Sequence, residues 1–220
     1  MHSKTSELLR KKSKPYLEPN MKTLAHIINN RLTTTNMKQI LILPVIIWNK
    51  NRFLKWSDFK KKIYPKDKAS AISAIGFESE PIIEHIKTGT KFTFKIKDMQ
   101  LHAIFIPNLS GVIKNLNEKN MALLLKHEQG HFDLAEEITR KARIKANNRF
   151  KNRFMSVKGK NQKTAEKNAT YRTTTIRKNI NYKLQKDLNN QETKYDDKTK
   201  HGLSKTNQQK YNKRFKKLRS

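Results

Sequence analysis

The chain has 220 residues, enough for one domain with appendages or at most two small domains, and its hydrophobic fraction of 35% allows one modest core. Its 49 Lys and Arg residues against 18 Asp and Glu give a formal net charge of +31, with the largest excess after residue 140. The absence of cysteine excludes a disulfide scaffold, a Cys-ligated zinc or iron–sulfur site and a thiol nucleophile. A metal site would therefore need His, Asp or Glu ligands.

Residues 1–36 are polar, basic and weakly patterned, which is typical of a disordered leader. The longest apolar run, Ile40–Trp48, is about half of the roughly 20 residues that a membrane-spanning helix needs, and Pro44 interrupts it. The early basic residues are not followed by the apolar segment of a secretory signal. We therefore expect no transmembrane segment and no clear signal peptide, and the residues themselves leave the compartment open.

Residues 40–107 form the strand-rich part of the predicted domain, which spans residues 40–220. Asp98–Gln100 is expected to form a turn, and Thr88-Gly89 is expected to separate two strands. Five strands are predicted from apolar alternation and β-branched content: Ile40–Trp48, Ala69–Phe77, Ile82–Lys87, Lys91–Lys97 and Leu101–Ile106. Together they predict a small, mostly antiparallel sheet with one apolar face.

Residues 112–220 form the helical part, because apolar residues there recur at spacings of three and four. The spacing predicts a long helix from about Glu118 into the 140s, a break over residues 151–163 and a second long helix. We expect Tyr195–Gly202 to be a polar loop, followed by a short helix capped by Ser204 or Thr206. The predicted fold class is α+β, a small mostly antiparallel sheet followed by two long helices and a short C-terminal helix.

The segment His127-Glu128-Gln129-Gly130-His131 lies inside the first predicted helix and matches the pattern H-E-x-x-H. Two imidazoles four residues apart project from one helix face, so both can bind a single Zn²⁺. Glu128 lies about 100° round the helix, where its carboxylate can take a proton from water at the metal. The pattern predicts a zinc metallopeptidase with His127 and His131 as ligands and Glu128 as general base; the alternative is a pair of helix histidines without metal.

A catalytic zinc site needs a third protein ligand and one open position. The extended pattern H-E-x-x-H-x-x-G-x-x-H is excluded because Leu134 and Glu137 occupy its Gly and His places. The third ligand must therefore come from elsewhere in the chain. Candidates are Glu166, Glu192, Asp196, Asp197 and His201, and we predict His201.

Four segments follow one another along the chain: Trp56-Ser-Asp-Phe59, Ser110-Gly-Val-Ile113, His127-Glu-Gln-Gly-His-Phe-Asp133 and Tyr195-Asp-x-x-Thr-x-His-Gly202. Together they resemble the bacterial family called Domain of Unknown Function 922, whose members are regarded as secreted or cell-envelope zinc peptidases. The resemblance covers roughly residues 48–218. It implies a zincin-like fold, ligand roles for His127 and His131, a base role for Glu128, and a place in the site for the segment 195–202.

Three further residues have possible supporting roles. Asp133 could orient an imidazole, or could be an exposed carboxylate on a basic helix. Tyr195 could donate to a developing oxyanion, or could close a helix end. Asp196 could hydrogen-bond His201 or a helix N-terminus.

The basic composition favours a different function class. A net charge of +31 and a pI near 10.3 suit a protein that binds nucleic acid or an anionic surface through its basic C-terminal part. Against this alternative, the sequence contains no recognisable nucleic-acid-binding motif. A third hypothesis is an inactive, peptidase-like module that binds a partner. Peptide or protein substrates are the partners that the metallopeptidase prediction implies.

Overall fold

The computed structural model describes residues 44–64, 70–113 and 118–220. The predicted leader, residues 1–36, and the first part of the predicted strand Ile40–Trp48 lie outside the described residues. Within the described part, none of the helices is long and apolar enough to span a bilayer. The predicted α+β class is confirmed, because a mainly antiparallel sheet packs against long helices.

The main sheet is built on a long antiparallel hairpin of β4 (Ile75–Thr88) and β5 (Lys91–Phe105). Gly89, with φ of 58°, lies in the turn between them, so the predicted separator is the hairpin turn itself. Strand β1 (Ile46–Ile47) pairs with the end of β5, and β7 (Phe154–Val157) pairs with its beginning. The resulting order is β1-β5-β4, with β7 as a third partner of β5.

The predicted turn at Asp98–Gln100 is wrong, because β5 continues without reversal from Lys91 to Phe105. The register shifts where Ile82 pairs with Asp98 and Ile83 pairs with Ile96, which leaves Lys97 as the extra residue of a β-bulge. A bulge reverses the alternation of buried side chains without reversing the chain. Phe94 and Ile96 are accordingly buried before the bulge, and Met99 and Leu101 after it.

The separate strands predicted at Ala69–Phe77 and Ile82–Lys87 are also wrong, because residues 75–88 form one strand. Pro81 lies within it, although proline cannot donate to a strand ladder. Strand β4 is at the edge of the sheet, so the missing N–H can face away from β5.

A second, three-stranded sheet lies beside the main one. Its central strand β6 (Gly111–Val112) pairs in parallel with β2 (Lys61–Lys62) and antiparallel with β3 (Ala71–Ile72). A Cβ on Gly111 would lie 2.4 Å from the backbone oxygen of Lys61, so glycine is required for this close approach.

Three helices complete the described fold: α1 (Glu118–Phe150), α2 (Gln162–Thr199) and α3 (Lys205–Arg219). The prediction of two long helices and a short terminal one is confirmed. Phe132 of α1 and Leu184 of α2 join the core that covers the buried face of β5. Ser204 is the N-cap of α3, but its side chain makes no capping hydrogen bond.

One prediction for the helical part is wrong and another is confirmed. The prediction that Tyr195–Gly202 is a loop is wrong over most of its length, because α2 continues to Thr199. Tyr195 and Thr199 are both fully buried and extend the buried stripe of Leu184 and Leu188, because Tyr195 lies seven residues, about two helical turns, beyond Leu188 and Thr199 lies four residues further on. The predicted break at residues 151–163 is confirmed, because α1 ends at Phe150 and α2 begins at Gln162. The break contains the four-residue strand β7, which was not predicted.

Candidate metal centre

Three side-chain atoms from two helices converge on one point of the structure. His127 and His131 project from one face of α1, as their spacing predicts. Their Nε2 atoms are 3.2 Å apart, and each lies 3.1 Å from Oδ1 of Asp196 on α2. The three atoms therefore form a nearly equilateral triangle that joins the two long helices.

The size of this triangle suits a small metal ion. Four ligands about 2.0 Å from one ion in a tetrahedral arrangement lie about 3.3 Å from one another. The observed edges of 3.1 to 3.2 Å are close to that value. Oδ1 of Asp196 is buried and makes no hydrogen bond of acceptable geometry with any described residue, although both imidazole nitrogens are near it. The two imidazole nitrogens are also at hydrogen-bonding distance from each other, so the unsatisfied oxygen of Asp196 is the observation that favours a shared ion.

The electrostatic environment of the triangle favours a cation. Burial opposes ionisation of Asp196, but the adjacent imidazoles of His127 and His131 outweigh it and hold the pKa of this carboxyl well below its usual range. Burial likewise disfavours the charged form of His131, yet Asp196 and Glu192 raise the pKa of this imidazole well above its ordinary value. A field that stabilises an imidazolium here also stabilises a metal ion.

His201 lies at the edge of this arrangement. Its Nδ1 is 3.8 Å from Oδ1 of Asp196, and its side chain is 70% exposed. His127, Asp196 and His201 form a second group whose ligand atoms lie within 4.8 Å of one another and that could also hold a metal ion. The triangle with His131 is tighter, so Asp196 is nearer to a ligand position than His201.

The other candidates for a third ligand are placed differently. The Oε1 atom of Glu192 is 3.6 Å from Nδ1 of His131, so this carboxylate lies beside the triangle. Asp197 follows Asp196 directly but is exposed. Glu166 lies thirty residues before Asp196 on the same helix, which is about 45 Å away at 1.5 Å per residue. Glu166 therefore cannot join the site.

A second layer of side chains fixes the ring of His127. Tyr195 stacks on it with ring centroids 4.8 Å apart and an interplanar angle of 10°. The Tyr195 hydroxyl donates to the backbone oxygen of His127 and accepts from Nε2 of Gln208. Nδ1 of His127 lies 3.3 Å from Oε1 of Gln208, so a proton on Nδ1 leaves Nε2 free to bind metal. Burial raises the pKa of Tyr195, which keeps its hydroxyl protonated.

Two glycines of the sequence motifs make this packing possible. A Cβ at Gly130 would lie 2.0 Å from the hydroxyl oxygen of Tyr195, which no real contact allows. A Cβ at Gly202 would lie 3.0 Å from Cβ of His127, and Gly202 has φ of 83°, which favours glycine. Both glycines therefore let α2 and its following turn approach the histidine helix closely.

Glu128 is 5% exposed and has a hydrogen-bonding partner outside the motif. The hydroxyl of Ser73 donates to its Oε2 across 2.6 Å. Ser73 lies between β3 and β4, so this contact joins the sheet region to the histidine helix. Sequence reasoning missed Ser73, because a single serine in an apolar segment carries no distinguishing pattern.

Within the described residues, Asp133 makes no hydrogen bond to an imidazole. Its Oδ1 accepts from Nε1 of Trp48 at 2.8 Å and from Nε2 of Gln129 at 3.0 Å, and its carboxylate pairs with the guanidinium of Arg219. Gln129 also accepts from the backbone N–H of Leu54. Asp133 thus joins the chain near residues 48–54 and the end of α3 to the histidine helix, a role that its position in the motif did not indicate.

Comparison of the chain with protein-family models, with curated proteins and with solved structures gives no match in any of the three. The functional assignment therefore rests on the geometry of the site and on the motifs.

Proposed function

We propose that this protein is a zinc-dependent metallopeptidase. The observation that carries the proposal is the triangle of His127, His131 and Asp196, with Glu128 following the first of these residues on the helix. Two imidazoles and one carboxylate leave one position open, which is the donor set typical of a catalytic rather than a structural zinc. The resemblance to the Domain of Unknown Function 922 family, with its zincin-like fold and its secreted or cell-envelope location, belongs to this proposal.

The residues of the site have distinct tasks in peptide-bond hydrolysis. Zinc, when bound, acts as a Lewis acid and lowers the pKa of water toward about 7. Glu128 accepts the proton from the attacking water and passes it to the leaving amine. Ser73 holds Oε2 of this carboxylate, which leaves Oε1 to take the proton. Tyr195 and Gln208 hold the ring of His127 and do not touch the substrate, because both are buried behind it.

The first test compares zinc content and peptidase activity in three proteins. The wild type should hold about one zinc per chain, and the double variant His127→Ala/His131→Ala should hold none. Glu128→Gln should retain the zinc and lose at least about 10²-fold in the rate of hydrolysis of a mixed peptide library, because it cannot accept the proton. Elemental analysis and mass spectrometry of the library measure the two effects. A wild type without zinc after metal-replete expression would reject the proposal, and full activity in Glu128→Gln would reject its mechanism.

A second candidate function, binding of single-stranded nucleic acid, is favoured by the exposed face of α2. Tyr171 and Tyr182 are 76% and 72% exposed and lie eleven residues apart, about 16 Å along one side of the helix. Lys167, Lys178 and Lys186 lie four residues from one or the other tyrosine and are exposed. None of these three lysines takes part in an ion pair within the described residues. Exposed aromatic rings beside unpaired cations can stack bases and contact phosphates.

This candidate predicts salt-dependent binding of a single-stranded oligonucleotide. The double variant Tyr171→Ala/Tyr182→Ala should weaken binding at least about tenfold, because each stacked base contributes roughly 1 to 3 kcal/mol. Phe154→Ala, which removes an exposed ring from β7, is the control and should bind like the wild type. Fluorescence anisotropy at about 50 and 200 mM salt measures both the affinity and its salt dependence. Equal affinities in all three proteins would reject this face as the binding surface.

A further inference from the structure

His201 lies outside the triangle of His127, His131 and Asp196 but close to its open side. The distance from its Nδ1 to Oδ1 of Asp196 is 3.8 Å, and its ring centroid is 6.3 Å from that of His127. The ligand atoms of His127, Asp196 and His201 lie within 4.8 Å of one another. Ligands of one tetrahedral ion lie about 3.3 Å apart, so a movement of His201 by up to about 1.5 Å would bring its nitrogen to a ligand distance from the other two residues. Its side chain is 70% exposed, which leaves space for this movement on the solvent side.

The backbone holds His201 at this place in an unusual conformation. Lys200 and His201 both have φ of 52°, and Gly202 has φ of 83°, so three consecutive residues are left-handed. Residues other than glycine adopt this conformation rarely, and strained backbone concentrates at functional sites. The backbone N–H of His201 donates to the backbone oxygen of Asp196 at 3.1 Å, and the backbone N–H of Ser204 donates to the backbone oxygen of Thr199 at 2.7 Å. These bonds stop α2 and turn the chain so that His201 returns beside Asp196.

We propose that His201 is a fourth, displaceable ligand of the metal centre. In the resting protein it completes a set of three imidazoles and one carboxylate. When a substrate enters, the exposed imidazole withdraws and leaves the open position that hydrolysis needs. In the resting protein, His201 would close the metal site to solvent water and to small ligands. The site would open only when the turn at residues 200–202 moves and the imidazole withdraws. This inference rests on the proposed metal centre and adds a form of regulation to it.

The test uses the full chain loaded with cobalt, whose visible absorption reports ligand type and number. His201→Asn is the main variant, because asparagine tolerates a left-handed backbone. Lys200→Asn, one residue away in the same conformation, is the matched control. Partners that only orient a metal ligand contribute 10–100-fold to metal affinity, so loss of a direct ligand should weaken zinc binding at least about tenfold in chelator competition. The cobalt bands of His201→Asn should shift, and added imidazole should restore them.

The outcomes separate this inference from the proposed function. Wild-type spectra and zinc affinity in His201→Asn would overturn the fourth-ligand role and leave the metal centre intact. Failure of imidazole to restore the bands would overturn it too, because the vacated position should accept that molecule. A wild type that binds neither zinc nor cobalt would overturn the proposed metallopeptidase itself.

Discussion

Asp196→Ala is expected to abolish metal binding, while the neighbouring change Asp197→Ala should leave it at about one zinc per chain. Oδ1 of Asp196 is 3.1 Å from both imidazole Nε2 atoms. Its loss leaves only two imidazoles of the triangle, both from one helix, with the displaceable His201 as the one remaining proposed ligand. Asp197 is exposed, so its removal changes the local charge equally without changing the ligand set. Elemental analysis of the three purified proteins measures the effect.

The same pair of variants should differ in thermal stability. Zinc ties α1 to α2 in the wild type and in Asp197→Ala, and a ligand at 100 times its Kd raises the free energy of unfolding by about 2.7 kcal/mol. Adding EDTA should therefore lower the melting temperature of these two proteins and leave that of Asp196→Ala unchanged. Full zinc content in Asp196→Ala would show that His201, the ligand predicted from the sequence, supplies the third position in place of the aspartate.

The parts of the site that the sequence predicts are those with a local spacing rule. His127 and His131 share a face because they are one helical turn apart, and that spacing holds in any α-helix. The α+β class and the three helices follow from equally local patterns. No local spacing rule predicts how α1 and α2 pack against each other. The sequence therefore left five candidates for the third metal ligand.

The incorrect prediction at Tyr195–Gly202 has an identifiable cause. The segment has the polar composition that is typical of a loop, yet Tyr195 and Thr199 lie about two and three helical turns beyond Leu188 and so continue the buried stripe of Leu184 and Leu188. Extending the helix through this stripe would have placed Asp196 next to the buried face. Burial of a tyrosine and a threonine depends on tertiary packing against α1 and α3, which no local pattern reports.

The long hairpin shows a second limit of predictions made from a short stretch of sequence. Phe94 and Ile96 alternate in one phase and Met99 and Leu101 in the other, and either a turn or a bulge produces this change. The structure contains a bulge and not a turn, because β4 pairs with β5 on both sides of Lys97 and leaves this one residue unpaired. Pairing between strands is a non-local interaction, so the sequence of β5 alone could not decide.

Gly130→Ala is expected to destabilise the protein, although the same change inside an ordinary helix stabilises it by roughly 0.5 to 1 kcal/mol. A Cβ at Gly130 would lie 2.0 Å from the hydroxyl oxygen of Tyr195 and 2.7 Å from its Cζ. Tyr195 is fully buried between His127, Tyr211 and Phe215, so it has no free volume to enter. Overpacking of this kind costs about 1 to 3 kcal/mol, and chemical denaturation measures the loss.

A double-mutant cycle isolates the cause of that loss. Tyr195→Ala removes the ring that a Cβ at residue 130 would meet, so adding Gly130→Ala to it should be neutral or stabilising. The sign of the Gly130→Ala effect would thus reverse with the residue at position 195, and zinc affinity should fall with Tyr195→Ala because the ring of His127 loses its stacked support. If Gly130→Ala destabilised both backgrounds equally, the glycine would be required for another reason than the approach of α2. A reversal would show that Gly130 in the first motif and Tyr195 in the second are energetically coupled, because the side chain of Tyr195 occupies the space that a Cβ at residue 130 would take.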